Sequence, residues 1–261
     1  ISENLRKFLY SKYPDTNIFL MSVLPSIGEG VFFREESLKS LKKIREELHE
    51  GLLKGAFLIS NEYVSKISEI PLPPGEKINS YILSYLLEIA YPINNYELDF
   101  SDSHKQPDFG DYRTVISLPK EFIKSENDGT GFMDILYGKY ENNKINLKSV
   151  YSDSVDSNST KSYFGVLKLP KSMKGDKKLI NKIFKKVDTI TKSEIPFKIT
   201  YTTNVENPEI FVLLSGCNIS KKLMKEIDSI KKGKTKFHEK NEKSSKIEDD
   251  IFHNEFFDWG I

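Results

Sequence analysis

The chain has a single cysteine, Cys217, so no intrachain disulfide can form and no thiolate cage for a metal can be built from one copy. That scarcity points to an intracellular, reducing compartment. Alanine is almost absent, at Ala56 and Ala90 only, and Arg6, Arg34, Arg45 and Arg113 are the only arginines among 39 basic residues. Arginine supplies the rigid fork for phosphate and base recognition, so a nucleic-acid binder built from this composition would rest on lysine alone. No apolar run approaches the roughly 20 residues that cross a bilayer, which excludes a membrane-spanning helix. The first segment, Ile1 to Tyr13, is polar-rich and amphipathic without a cleavage-site pattern, so no signal peptide is visible. Because the chain opens on Ile1 rather than Met, a leader or anchor removed upstream remains an alternative.

Apolar material is sufficient for a core. The 261 residues are 38% hydrophobic, with 17 Phe and 13 Tyr, which excludes wholesale disorder and predicts a soluble globular protein. Leu5, Phe8, Leu9 and Tyr13 fall at helical spacing, and Ile18 to Leu24 is a continuous apolar run expected to be a buried strand. Leu38, Leu41, Ile44, Leu48 and Leu52 form one stripe, predicting a helix over 37–54 between Ser37 as N-cap and Gly55 as C-cap. Ala56 to Ser60 reads as a strand, and Ile78 to Tyr91, apolar on nearly every face, as a buried helix. Strands follow at Tyr96–Phe100 and Tyr112–Leu118, then at Phe132–Tyr140 and Lys144–Tyr151 joined through Asn142-Asn143, whose tolerance of positive φ suits a hairpin. Beyond them come a strand at Tyr163–Leu169, a Lys-rich helix with Leu179, Ile180, Ile183, Phe184 and Val187 on its stripe, and strands at Phe197–Thr203 and Ile210–Leu214. The last helix carries Leu223, Met224, Ile227 and Ile230 after Ser220. Helices and strands neither alternate strictly nor segregate, which predicts an α+β fold with mainly antiparallel strands. The expected units are a helix-rich subdomain at 1–125, a hairpin-containing one at 126–231, a polar linker at 232–249 and a tail at 250–261.

Charge is segregated along the chain. Residues 161–246 hold 21 Lys against nine acidic residues, or +12, while residues 247–261 hold five acids and no Lys or Arg, or −5. Lys178, Lys182, Lys185, Lys186, Lys222 and Lys225 form the candidate basic surface. The tail instead concentrates Ile251, Phe252, Phe256, Phe257, Trp259 and Ile261. So short a segment cannot make a core of them, and Trp and Phe anchor short docking motifs, so these residues are the expected partner-binding site.

Motifs for chemistry are sparse. Asp99, Asp102, His104, Asp108 and Asp111 lie in one stretch with Pro107 and Gly110, and carboxylates with an imidazole could hold a divalent cation; the spacing is not that of a calcium loop. His49, His104, His238 and His253 form no paired ligand motif, and Cys217 reads as a small buried hydrophobe. Gly28-Glu29-Gly30 occupies the position of a phosphate-binding turn but lacks the Gly-Lys-Ser/Thr ending, and Glu29 would repel phosphate. No cofactor is called for and no catalytic residue is assigned. The reading that ranks first is a non-enzymatic interaction subunit or adaptor whose acidic, aromatic tail docks on another protein or on its own basic surface. A metal-dependent enzyme using the loop 99–111 ranks second. Third is a Lys-driven nucleic-acid binder gated by the tail, nucleic acid being the less favoured partner.

Overall fold

The computed structural model of the protein describes residues 3–13, 17–67, 76–94, 115–116 and 131–231. The predicted strand at Tyr96–Phe100, the linker and the tail lie outside them. Helix α1 (Glu3–Lys12) is followed by β1 (Phe19–Leu24), α2 (Val31–Glu50), β2 (Gly55–Ser60), α3 (Asn61–Ile67) and α4 (Glu76–Asn94). Strands β3 (Phe132–Glu141), β4 (Lys144–Ile145), β5 (Lys148–Ser149), β6 (Val155–Asp156) and β7 (Ser162–Pro170) come next. The described part ends with α5 (Lys177–Thr191), β8 (Phe197–Thr202), β9 (Glu209–Ile219) and α6 (Lys221–Lys231).

All of the long strands join one sheet in the order β1-β2-β3-β9-β7-β8, with β4 and β5 on β3 and β6 on β9. β1 pairs parallel with β2, β2 with β3, and β7 with β8. β9 runs antiparallel to both β3 and β7 and so fuses two parallel wings. The sheet is therefore mixed, in an α/β arrangement, rather than mainly antiparallel as the sequence suggested. The physical signal for this was present: Gly55 to Ser60 is buried at every position, as befits a parallel strand covered on both faces, and each parallel pair is joined through a helix because that connection cannot be a tight turn. The β2–β3 pairing links residues on either side of position 126.

Local expectations fare unevenly. Asn142 and Asn143 take φ of 49° and 62°, the left-handed pair that a two-residue hairpin requires, and they close β3 onto β4. The helix predicted over 37–54 instead starts at Val31 behind Gly30 and stops at Gly51, whose φ of 77° ends it in the left-handed cap. Its stripe holds, with Leu38, Leu41, Ile44 and Leu48 buried. Val115 and Ile116, placed in a predicted strand, are helical, and Val115 is buried.

The core lies on both faces of the sheet. One cluster packs α2, α5 and α6 through Leu41, Ile44, Ile183, Val187, Leu223 and Ile227 against Leu20, Leu58, Leu167 and Val212. The other sets Ile82 and Ile89 of α4 and Val64 of α3 on Phe57, Ile135, Val166 and Phe211. On the first face Phe197 stacks on Phe184 at 4.8 Å between ring centroids, which is possible only because Gly165 opposite has no side chain; a Cβ there would collide with the Phe197 ring. Gly165→Ala should therefore destabilise the fold by about 1–3 kcal/mol, read as a lower melting temperature. A melting temperature equal to that of the parent would show that Phe197 does not sit on this glycine.

Candidate functional site

In parallel α/β sheets, ligand crevices form outside the carboxyl ends of the strands. Here the ends of β1 and β2, at Leu24 and Ser60, open onto a cavity of about 140 Å³. Four segments wall it: Arg34 of α2; Glu62, Tyr63 and Lys66 of α3; Asp153 and Ser154 after β5; and Lys222, Leu223 and Glu226 of α6.

Each wall is tied to another. Arg34 donates from Nε to Glu226 Oε1 at 2.6 Å and from Nη2 to Oε2 at 3.2 Å, a two-pronged pair that locks α2 to α6, and its Nη1 reaches the carbonyl of Pro25 at 2.9 Å. The two side chains are 14% and 22% exposed, so this charge-assisted contact is shielded and its geometry is specific. Lys66 pairs with Glu62 one helical turn away at 2.7 Å. Tyr63 Oη donates to the Ser149 carbonyl, and the Ser60 amide to the Tyr151 carbonyl, both at 2.9 Å, holding the β5 region to the end of β2.

Behind this wall lies a buried acid. Asp134 in β3 is wholly inaccessible; its Oδ1 accepts from Ser149 Oγ at 2.9 Å and from the Ile135 amide at 2.8 Å, while Oδ2 has no partner. Ser149 Oγ in turn accepts from the amides of Tyr151 and Ser152, so the acid organises the loop that forms one side of the crevice. Burial pushes the Asp134 carboxyl up to about 7, outweighing the two hydrogen bonds that favour its ionised form.

The structure places the sequence-predicted residues as follows. Glu29, of the Gly28-Glu29-Gly30 turn, directs its carboxylate back onto the Ser26 amide at 2.6 Å and onto Asn61 Nδ2 at 3.0 Å, so the turn binds its own anion. Burial raises the Glu29 carboxyl, but these hydrogen bonds prevail and hold it below its ordinary value. Lys222 lines the crevice; Lys178, Lys182, Lys185 and Lys225 are exposed on α5 and α6, and half-buried Lys186 donates to the Asn143 carbonyl. Cys217 is buried in β9, where burial raises its thiol far above the usual range. Among the described residues no group of His, Cys, Asp and Glu is arranged to hold a metal ion, and no helix is long and apolar enough to cross a membrane. Asp99, Asp102, His104, Asp108 and Asp111, and the tail residues Phe252, Phe256, Phe257, Trp259 and Ile261, lie outside the described residues. Sequence reasoning missed Arg34, Tyr63, Asp134 and Glu226; only the rarity of arginine singled one of them out.

No protein-family model matches the chain, and no curated protein matches it at a significant level. Solved structures do. The GTPγS-form protofilament of TubZ from Bacillus thuringiensis serovar israelensis superposes with a TM-score of 0.64 at 15% identity, covering 92% of this chain and 63% of that one. The GTPγS-bound protofilament of CetZ2 from Haloferax volcanii gives 0.59 at 14% identity over 89% of this chain and 66% of its own. The empty FtsZ dimer of M. jannaschii gives 0.51 at 14% over 81% and 61%. The mixed sheet with its helices thus resembles the tubulin/FtsZ-like GTPase fold, and the chain spans less than two thirds of the TubZ it matches.

That likeness overturns the reading of an adaptor built around a C-terminal docking motif, along with the metal-dependent enzyme and the tail-gated nucleic-acid binder ranked below it: the structural neighbours are cytoskeletal tubulin/FtsZ-family GTPases. The sequence signals act within single loops, whereas the crevice is assembled from segments up to 192 residues apart.

Among the described residues the crevice does not fit a nucleoside triphosphate. Its volume is below the roughly 300 Å³ at which small-molecule sites begin. Its charges also cancel, Arg34, Lys66 and Lys222 standing against Glu62, Asp153 and Glu226, and two of the cations are already paired.

The buried acid makes a prediction. Because its folded-state value lies above the 3.8 of an exposed Asp, the folded protein binds the proton more tightly than the unfolded one. Its contribution therefore declines as pH rises from about 4 to about 7 and is flat above, a total on the order of 4 kcal/mol. Asp134→Asn should remove this slope, so that denaturant midpoints of parent and variant diverge in the variant's favour toward pH 8. Parallel pH profiles would show that Asp134 is not buried as an acid.

Proposed function

We propose that the chain is part of a subunit of a nucleotide-dependent, tubulin/FtsZ-like filament, the part that presents assembly surface. The supporting observation is the superposition of 92% of the chain on a TubZ protofilament. A second observation supports a position for a contact. Phe32 and Phe33, in the first turn of α2 directly before the crevice residue Arg34, are 68% and 62% exposed and meet edge to face at 5.9 Å. An exposed aromatic pair of this kind is costly on a free surface and is the side-chain type that anchors protein contacts. In this reading it is a longitudinal contact with the next copy, and the exposed Lys178, Lys182 and Lys185 of α5 are the solvated flank of the filament.

The test is sedimentation from an extract of the cells that make the protein. The chain should enter the pellet with GTPγS and stay in the supernatant with GDP. Phe32→Ala with Phe33→Ala should leave the melting temperature unchanged, since both rings are exposed, and reduce pelleting about tenfold. Equal pelleting in both nucleotides would contradict the reading.

A further inference from the structure

Between β5 and β6 the chain forms an arch, Ser149 to Ser154, held by hydrogen bonds at both feet. At one foot Ser149 Oγ donates to Asp134 Oδ1 at 2.9 Å and accepts from the amides of Tyr151 and Ser152 at 3.3 and 3.1 Å. At the other the Ser154 amide donates to Ser152 Oγ at 3.0 Å, and the Ser154 carbonyl accepts from the amide of Ser220, just before α6, at 2.7 Å. Seated in this way, the arch places Asp153 and Ser154 in the crevice wall.

The anchor of the arch is a carboxyl group with no counter-ion. Asp134 is wholly buried, its Oδ2 has no partner, and among the described residues no cation pairs with it. The elements packed against β3 do not supply one. β2 has no titratable side chain, and β9 offers only Cys217 here and Glu209 at the far end of the ladder. β4 pairs at Tyr140 and Glu141, the other end of the strand, and Lys148 of β5 and Asp156 of β6 are exposed. On α3, Glu62 and Lys66 pair with each other and only Tyr63 feels the charge of Asp134. The arch itself carries buried Tyr151 and exposed Asp153. Neither phenol is free to serve the orphan oxygen, since Tyr63 donates to the Ser149 carbonyl and Tyr151 to that of Ile82. Burial holds Tyr63, Tyr151 and Cys217 above their ordinary values, so of these inward-facing groups Asp134 alone changes charge between about pH 4 and pH 8.

An ionised carboxylate in this position lacks both water and an opposite charge, and admitting water relieves it. The arch is the element able to move. Ser149 is half-buried and Asp153 exposed, whereas β2 and β9 are interior strands of the sheet.

We propose that the proton on Asp134 operates a latch on the crevice: with the acid neutral the arch is seated, and ionisation favours an opened arch that lets water reach the carboxylate, withdraws Asp153 and Ser154 from the crevice wall and frees the Ser220 amide before α6. The latch does not depend on the filament reading. Its sign follows from exposure. In the opened arch the acid releases its proton as an ordinary carboxyl does, so opening binds fewer protons and is favoured by rising pH. With the buried value at about 7 and the exposed one at 3.8, the opening equilibrium should increase about tenfold between pH 6 and pH 8.

The test is hydrogen exchange of the full chain at pH 6 and pH 8, corrected for intrinsic rates and repeated in low denaturant. Protection of the Tyr151, Ser152, Ser154 and Ser220 amides should fall about tenfold at the higher pH and depend little on denaturant. Asp134→Asn, a neutral isostere, should give equal protection at both pH values, and Ser149→Ala should give low protection at both. In the parent chain, which needs no variant to fold, the carboxyl carbon of Asp134 and the amide shifts of Tyr151 and Ser152 should titrate together with a midpoint of about 7. Protection that is the same at both pH values in the parent overturns the proposal, as does a carboxyl that titrates near the ordinary value. Arch amides whose denaturant dependence equals that of Val212 overturn it too, because ionisation then acts through global unfolding alone.

Discussion

Strand β3 must satisfy neighbours of opposite sense, β2 running parallel on one side and β9 antiparallel on the other, and the rest of the molecule is arranged around that demand. Its ladder with β9 runs from Phe132 opposite Cys217 to Lys139 opposite Glu209, with one irregularity between Phe132 and Asp134. The buried carboxyl sits at this irregularity, where Ser149 and the Ile135 amide satisfy one oxygen. A buried acid that is only partly hydrogen-bonded is costly when charged, so its retention at the junction of the two wings marks a position where the local network, not apolar packing, sets the backbone. From Ser149 the network passes to the amides of Tyr151 and Ser152, to Tyr63 and to the end of β2, and so reaches the crevice.

The crevice shows how a fold of this kind separates scaffold from function. The Arg34–Glu226 pair, rather than any single loop, holds α6 against the helix that follows β1. Its charges are consumed internally and Glu29 fills the neighbouring turn with its own carboxylate. Among the described residues the exposed large apolar side chains include Phe32 and Phe33 just before Arg34, Met21 and Val23 of β1, and Leu83 and Leu87 on α4.

Much of the local structure was legible in the sequence. The α2 stripe, the Asn142-Asn143 hairpin and the strands at the ends of both wings follow from periodicity and turn chemistry, because those signals act over a few residues. The start of α2 was misjudged because Phe32 and Phe33 do not continue its buried stripe; they are exposed, and the apolar periodicity begins only at Leu38. Strand direction was not legible either. Whether the Ile18–Leu24 run pairs parallel or antiparallel depends on partners beyond the helix that follows it. The candidate site was least legible, since its residues converge from α2, α3, the β5–β6 connection and α6, and no spacing rule links Arg34 to Glu226. The aromatic tail is conspicuous within a few residues of sequence and lies outside the described residues.

The central claim is that β3 and β9 form the spine on which both parallel wings depend, and native-state hydrogen exchange tests it most directly. The amides of Ile135, Tyr137, Val212 and Leu214 should exchange only through global unfolding, and those of β2 and β7 should share the same opening free energy and denaturant dependence. If β2, or β7 with β8, instead opens as a separate unit of markedly lower free energy while β3 and β9 stay protected, the wings are independent and the account of a single cooperative sheet is wrong.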